Sequence, residues 1–260
     1  MEKQTVVLRN LCVGYRNPGG TRTVVSEIQA SLYSDELTCL IGENGVGKST
    51  LLRTLSAFQP ILSGEVSVNG KSLSKYSSHE LARLVSVVLT EKPTVEHLRV
   101  WEVVGLGCSP YTGFWGTLSV EDKKIVNESI QQVGIEKLKD RMFGNLSDGE
   151  RQKVMIAKSL AQQTPIMFLD EPTAFLDFPS KVEILQMLRM LAHTFHKTIL
   201  VSTHDVELAL QLADRLWLLE TKGLSVGSPR ELAEQGALSR FITRPGITFD
   251  PLSMTIQAKV

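Results

Sequence analysis

The stretch Gly42-Glu43-Asn44-Gly45-Val46-Gly47-Lys48-Ser49-Thr50 follows directly on the apolar run Leu37-Thr38-Cys39-Leu40-Ile41 and has the spacing G-x-x-x-x-G-K-[ST]. It reads as a phosphate-binding loop. Glycines let successive backbone N–H groups turn inward around a polyphosphate, and a helix opening at Lys48 aims the positive end of its dipole at the same anion. Lys48 then reaches the β- and γ-phosphates, and the Ser49 hydroxyl ligates Mg²⁺. Gly42, Asn44, Gly45, Val46, Gly47 and Thr50 complete the nucleotide-binding set. The surroundings fit, because a strand signal precedes the loop and Leu51, Leu52, Leu55 and Phe58 follow at helical spacing.

Working outward, the chain has 260 residues, enough for one large α/β domain or one domain with an inserted lobe. Its 28 basic and 28 acidic residues cancel, which argues against a surface built mainly to hold nucleic acid. Cys12, Cys39 and Cys108 are far apart and odd in number, so neither a disulfide framework nor a zinc site is indicated. Such usage suits a reducing compartment. The N-terminal residues lack an apolar leader, and no run approaches the length of a membrane span. A soluble chain is expected, reaching a membrane only by docking.

Thr5 to Val13 is rich in β-branched and apolar residues and reads as a strand ending at Gly14-Tyr15. A Pro18-Gly19-Gly20 turn leads to a second such run, Thr23 to Leu32. Ser63 to Lys71 alternates apolar with polar residues around Asn69-Gly70, a strong hairpin signal. Leu84 to Leu89 is apolar throughout, as in a strand covered on both faces. From about Lys92 no strand-like run recurs until Pro165. A Gly/Pro/aromatic loop, Gly105 to Gly116, lies within this stretch, and Ser119-Val120-Glu121-Asp122 has the composition of a helix start. Ile166 to Leu169, Thr198 to Val201 and Leu216 to Leu219 are apolar strands alternating with helical patterns, which implies parallel pairing with right-handed crossovers.

The expected fold is therefore α/β: a P-loop core with a mostly parallel sheet, an N-terminal antiparallel β layer and an inserted helical lobe. In one domain spanning 1–260, the core takes 1–91 and 164–243, the lobe 92–163, and a C-terminal extension 244–260.

Three further elements carry chemistry. The strand Ile166-Met167-Phe168-Leu169 ends in Asp170-Glu171, followed by Pro172. Asp170 is placed to hold Mg²⁺ through its water shell and Glu171 to orient or activate an attacking water. Ser202-Thr203-His204-Asp205 ends another apolar strand, and strand ends of a parallel sheet line the ligand crevice, so His204 is expected to converge with Lys48 and Glu171. Leu146-Ser147-Asp148-Gly149-Glu150-Arg151-Gln152 opens a helix running to about Ala161, a second anion-binding helix start on one polypeptide. His193 and His196 stand three apart with no carboxylate or cysteine at a recognised metal-binding spacing.

With Tyr15 upstream, these pieces in this order resemble an ATP-binding-cassette ATPase over residues 5 to about 235. The resemblance implies that Gly42 to Ser49 is the Walker A loop, Ile166 to Asp170 followed by Glu171 is Walker B, and Ala174-Phe175-Leu176-Asp177 is the D-loop. It implies that His204 is the switch histidine and that Tyr15 stacks on adenine. The family's LSGGQ signature is matched by Leu146-Ser147-Asp148-Gly149-Glu150. The cofactors implied are ATP and Mg²⁺. The partners implied are a second copy, whose Ser147, Asp148, Gly149 and Glu150 close over ATP held by Lys48, polytopic permease subunits, and a substrate-binding protein upstream. The place implied is the cytoplasmic face of the membrane.

Two motifs depart from the family. The Q-loop glutamine is replaced by Thr90 in Val88-Leu89-Thr90-Glu91, and a threonine there reaches Mg²⁺ only through water. The signature also carries the acids Asp148 and Glu150. The loop Gly105 to Gly116 resembles that of importers for iron-siderophore, haem and cobalamin chelates, although Cys108 stands where an arginine is common. Within it Phe114 and Trp115 fit a plug of the lobe or an exposed anchor equally well. A soluble cassette acting in DNA repair or on ribosomes is the alternative, and such proteins often carry two cassettes or long coiled-coil insertions. A P-loop nucleotide kinase or GTPase is disfavoured by Ser147 to Glu150 and His204.

Overall fold

In the computed structural model the described residues are 3–17, 19–90, 95–112, 116–221 and 223–258. Pro18, Glu91, Phe114 and Trp115, which entered the sequence reading, lie outside them. The chain divides into two compact units, residues 1–73 with 188–260, and residues 74–187. The stretch 92–163 falls inside the second unit, which also takes in two strands.

The first unit begins with β1 (Gln4–Asn17), which pairs antiparallel with β2 (Gly20–Tyr33) and with β4 (Ser63–Val68). Alternation along β1 changes parity midway. Val6 and Leu8 are buried, then Leu11 and Val13. The register shifts between Leu8 and Leu11, where Asn10 takes φ 46°, so a bulge flips the inward face by one residue. Gly64 passes so close to this bulge that a Cβ there would sit 2.2 Å from the Asn10 carbonyl oxygen. β4 pairs with β5 (Lys71–Ser72) through Asn69 and Gly70 at φ 48° and 77°, the two positive values that a tight hairpin turn requires.

The parallel part of this unit is built on β3 (Leu37–Gly42), flanked by β8 (Thr198–Thr203) and β9 (Arg215–Glu220). Every residue of β3 and β8 is buried, as continuous apolar runs demand when both faces are covered. β10 (Gly223–Gly227) pairs antiparallel with β9. Helix α1 (Lys48–Leu55) leaves the phosphate loop, and α7 (Val206–Leu212) leaves β8. The periodicity expected to run on to Phe58 stops short of it. Ala57 turns left-handed at φ 58°, which throws Phe58 out of register with the buried Leu51, Leu52 and Leu55 and leaves it 64% exposed. The unit ends with α8 (Pro229–Glu234), α9 (Ala237–Ile242) and an antiparallel hairpin of β11 (Ile247–Asp250) and β12 (Thr255–Ala258).

The second unit holds α2 (Ser78–Ala82), the parallel pair β6 (Val85–Val88) and β7 (Ile166–Asp170), and the helices α3 (Val100–Gly105), α4 (Val120–Val133) and α5 (Asp148–Ala161). Val103, Val104, Val126, Ile130, Val154 and Ala157 form its helical core. Ser119 caps α4 reciprocally with Asp122, as its sequence indicates. Ser159 of α5 donates to Ser86 of β6 at 2.6 Å, a buried polar tie between helix and strand. Helix α6 (Phe178–Thr194) carries the chain back to the first unit. Among the described residues, no helix is long and apolar enough to cross a membrane.

Candidate active site

In the first unit, the loop after β3 is shaped by three glycines. Gly45 and Gly47 take φ 77° and 119°, a region closed to most side chains, and a Cβ on Gly42 would fall 2.7 Å from a Val46 methyl and 2.8 Å from the Leu219 carbonyl. Asn44 and Gly45 face solvent, Val46 and Ser49 are half-buried, and Gly47 and Thr50 are buried. Lys48, the first residue of α1, is only 4% exposed. Its ammonium donates to the carbonyls of Gly42 at 2.9 Å and Glu43 at 3.1 Å, and Nζ stands 3.4 Å from Nδ1 of His204 just after β8. Of the expected convergence of His204 with Lys48 and Glu171, the first unit brings His204 and Lys48 together. Tyr15 hydrogen-bonds the Thr50 hydroxyl at 3.0 Å and is 41% exposed, so its ring stands beside the loop with surface left for an aromatic partner.

In the second unit, β7 ends at Asp170, 7% exposed, and the next residue, Glu171, takes φ 50°. A left-handed glutamate is uncommon and costs energy that the surrounding fold must offset. It turns the chain sharply at the strand end. Thr90 donates its hydroxyl to the Asp170 carbonyl at 2.8 Å, so Thr90 is fastened to the main chain at the end of β7. Thr90, Asp148, Glu171 and Phe175 line one groove in this unit. Asp177 opens α6 by accepting the Ser180 N–H at 3.3 Å, and hydrogen bonds from the Ser180 hydroxyl and N–H hold its carboxyl below the usual range.

Ser147 caps α5. Its N–H and hydroxyl donate to Glu150 Oε2 at 2.8 and 3.0 Å, and its hydroxyl accepts the Glu150 N–H at 3.3 Å. The Ser147 N–H is the main reason that the Glu150 carboxyl lies below its ordinary range. Arg141 stands 3.7 Å from Glu150 and Arg151 stands 3.9 Å from Asp148. These two pairings, which the motif reading missed although it includes Arg151, place an arginine near each of the acids Asp148 and Glu150. Arg151 lies three residues beyond Asp148 on the same helix, a spacing from which the pair is predictable. Arg141 arrives from the preceding loop and carries no such local signal. His193 meets Asp214 at 2.8 Å and His196 meets Asp35 at 2.7 Å, two separate contacts.

A family model described as ABC transporter matches residues 25–174, the span from β2 through the phosphate loop, α5 and β7 to Ala174. The chain belongs to the ABC transporter family. As an ATP-binding member it is an ATP-hydrolysing subunit that drives transport. It is 41% identical over 227 residues to an uncharacterised ABC transporter ATP-binding protein of Methanocaldococcus jannaschii, covering 87% of this chain and 77% of that one. It is 36% identical over 203 residues to the iron(3+)-hydroxamate import ATP-binding protein of Bacillus subtilis, covering 78% and 74%. A solved dimeric ATP-binding cassette in a post-hydrolysis state, bound to ADP and Pi, superposes with a TM-score of 0.74 at 25% identity, covering 86% of this chain and 98% of that one.

Proposed function

We propose that this chain energises an importer of metal chelates of the iron-siderophore, haem or cobalamin type. The observation that carries this reading is the likeness to the iron(3+)-hydroxamate import protein over more than three quarters of the chain. Two copies bind two nucleotides head to tail. Polytopic permease subunits hold the pair at the cytoplasmic face of the membrane, and a substrate-binding protein delivers the chelate from the other side.

At each site Lys48 binds the β- and γ-phosphates, the loop N–H groups from Gly42 to Thr50 cradle them, and Tyr15 stacks on adenine. The Ser49 hydroxyl and the Asp170 carboxylate are hard oxygen donors of the kind that hold Mg²⁺. When bound there, the ion would offset phosphate charge. Glu171 orients the attacking water and accepts its proton, while His204 holds the γ-phosphate in line. Ser147 and Gly149 of the second copy close the site, and Asp177 of the D-loop faces across the pair. Asp148 and Glu150 reach the site with Arg151 3.9 Å and Arg141 3.7 Å away, which lessens their repulsion of a polyanion. Thr90, shorter than glutamine, would reach a bound metal only through water.

Purification of the tagged chain from its native membranes tests the partnership. A polytopic membrane protein is expected to co-elute in equal amount, and the complex in vesicles should take up a ferric chelate only with ATP. Recovery of nucleic acid or ribosomal protein, with no membrane partner, would contradict the reading.

A further inference from the structure

The hairpin of β11 and β12 lies beyond every motif used so far, yet it returns the chain to the phosphate loop. Its entry is a tight turn in which the N–H groups of Arg244 and Ile247 each donate to the other's carbonyl, at 3.0 and 2.9 Å. Gly246, at φ 81°, permits the reversal. The turn points the Arg244 guanidinium at Glu43, with Nη2 2.6 Å from Oε1. Beside this pair lies a cavity of about 570 Å³, lined among others by Asn44, His204, Val206, Phe241 and Ile256. Phosphate loop, switch histidine and C-terminal hairpin thus share one cavity.

Glu43 is an unfavourable residue for a loop that must wrap an anion, because its carboxylate and the phosphates repel. Its main chain matters too, since its carbonyl takes the Lys48 ammonium at 3.1 Å. The Arg244–Glu43 pair is 53% and 65% exposed, so its contribution to folding is small. Its effect is local to the loop.

We propose that Arg244 is a positioning residue for nucleotide: by pairing with Glu43 it offsets that carboxylate and steadies the loop, so the C-terminal hairpin tunes the affinity for ATP. This rests on the reading of Gly42 to Ser49 as the ATP site.

The test is a double-mutant cycle on the full chain, with Kd for a non-hydrolysable ATP analogue and KM and kcat for ATP measured in wild type, Arg244→Ala, Glu43→Gln and the double variant. Arg244→Ala is expected to raise Kd and KM about two- to fivefold, the range for an exposed pair, with the effect on KM rather than kcat. In the Glu43→Gln background the same change should do almost nothing, and the swap of Glu43→Arg with Arg244→Glu should restore most of the affinity. High salt should shrink the wild-type advantage. Equal affinities for wild type and Arg244→Ala, or an undiminished loss in the Glu43→Gln background, would overturn the proposal alone. Failure of the wild type to bind the analogue would overturn the ATP-site reading and the proposal with it.

Discussion

Glu150→Gln installs the residue that the family signature carries at this position and removes one negative charge from the head of α5. In the wild type the carboxylate accepts two bonds from Ser147, at 2.8 and 3.0 Å. The amide keeps an oxygen for the Ser147 N–H, but bonds to an ionised acceptor are about twice as strong as neutral ones, so the cap weakens by about 0.5–1 kcal/mol. The Glu150 side chain is 32% exposed and Arg141 is 3.7 Å away, so screening holds the cost to the lower part of that range. For a chain of this size the melting temperature should fall by about 1–4 °C at neutral pH. The pH dependence follows from the depressed pKa. A carboxyl whose pKa drops on folding stabilises the protein above its unfolded value, and the gain disappears as pH falls through the lower folded value. The wild type should therefore lose its advantage on acidification while the Gln variant does not, and the two thermal melts should converge. With less charge at the site, ATP turnover by the variant should be equal or faster. A gap that stays constant down to about pH 3.5, below the ordinary carboxylate value, would show that the Ser147 cap does not draw stability from the Glu150 charge.

Two more outcomes follow from the packing and the thiols. Gly149→Ala places a Cβ 3.5 Å from the Ser180 hydroxyl, an ordinary contact, so the variant should fold and gain up to about 1 kcal/mol from helix propensity while its ATPase activity falls, as thermal melts and phosphate release would record. Burial pushes the Cys39 thiol up to about 12 and the Cys108 thiol up to about 11, so maleimide at mild alkaline pH should label half-buried Cys12 first and the other two only on unfolding. Mass spectrometry of the labelled peptides decides this.

Much of the fold is legible locally. Asn69-Gly70 dictates a hairpin because few other pairs tolerate two positive φ values, and β3 and β8 announce themselves as unbroken apolar runs. The phosphate loop is legible for the same reason, since its glycines are required by backbone shape. What escapes is set by distant partners. The bulge at Asn10 hides the true register of β1, and Ala57 ends a periodicity that the pattern carries on to Phe58. The hairpin of β11 and β12 has short strands and mixed polarity, so the breakers Pro245-Gly246 and Asp250-Pro251 are visible in it but the pairing is not. Arg141 and Arg244 meet their carboxylates only after the chain has folded, which leaves no trace in spacing.

In the proposed function the phosphate loop is half of a site that a second copy completes. Sedimentation of the Glu171→Gln variant, which should bind ATP with Mg²⁺ without hydrolysing the nucleotide, tests this pairing. Saturating ATP should double the sedimenting mass, and Lys48→Ala, unable to hold nucleotide, should abolish the shift. A Glu171→Gln protein that stays monomeric with ATP bound, or that hydrolyses ATP as fast as the wild type, would contradict the reading.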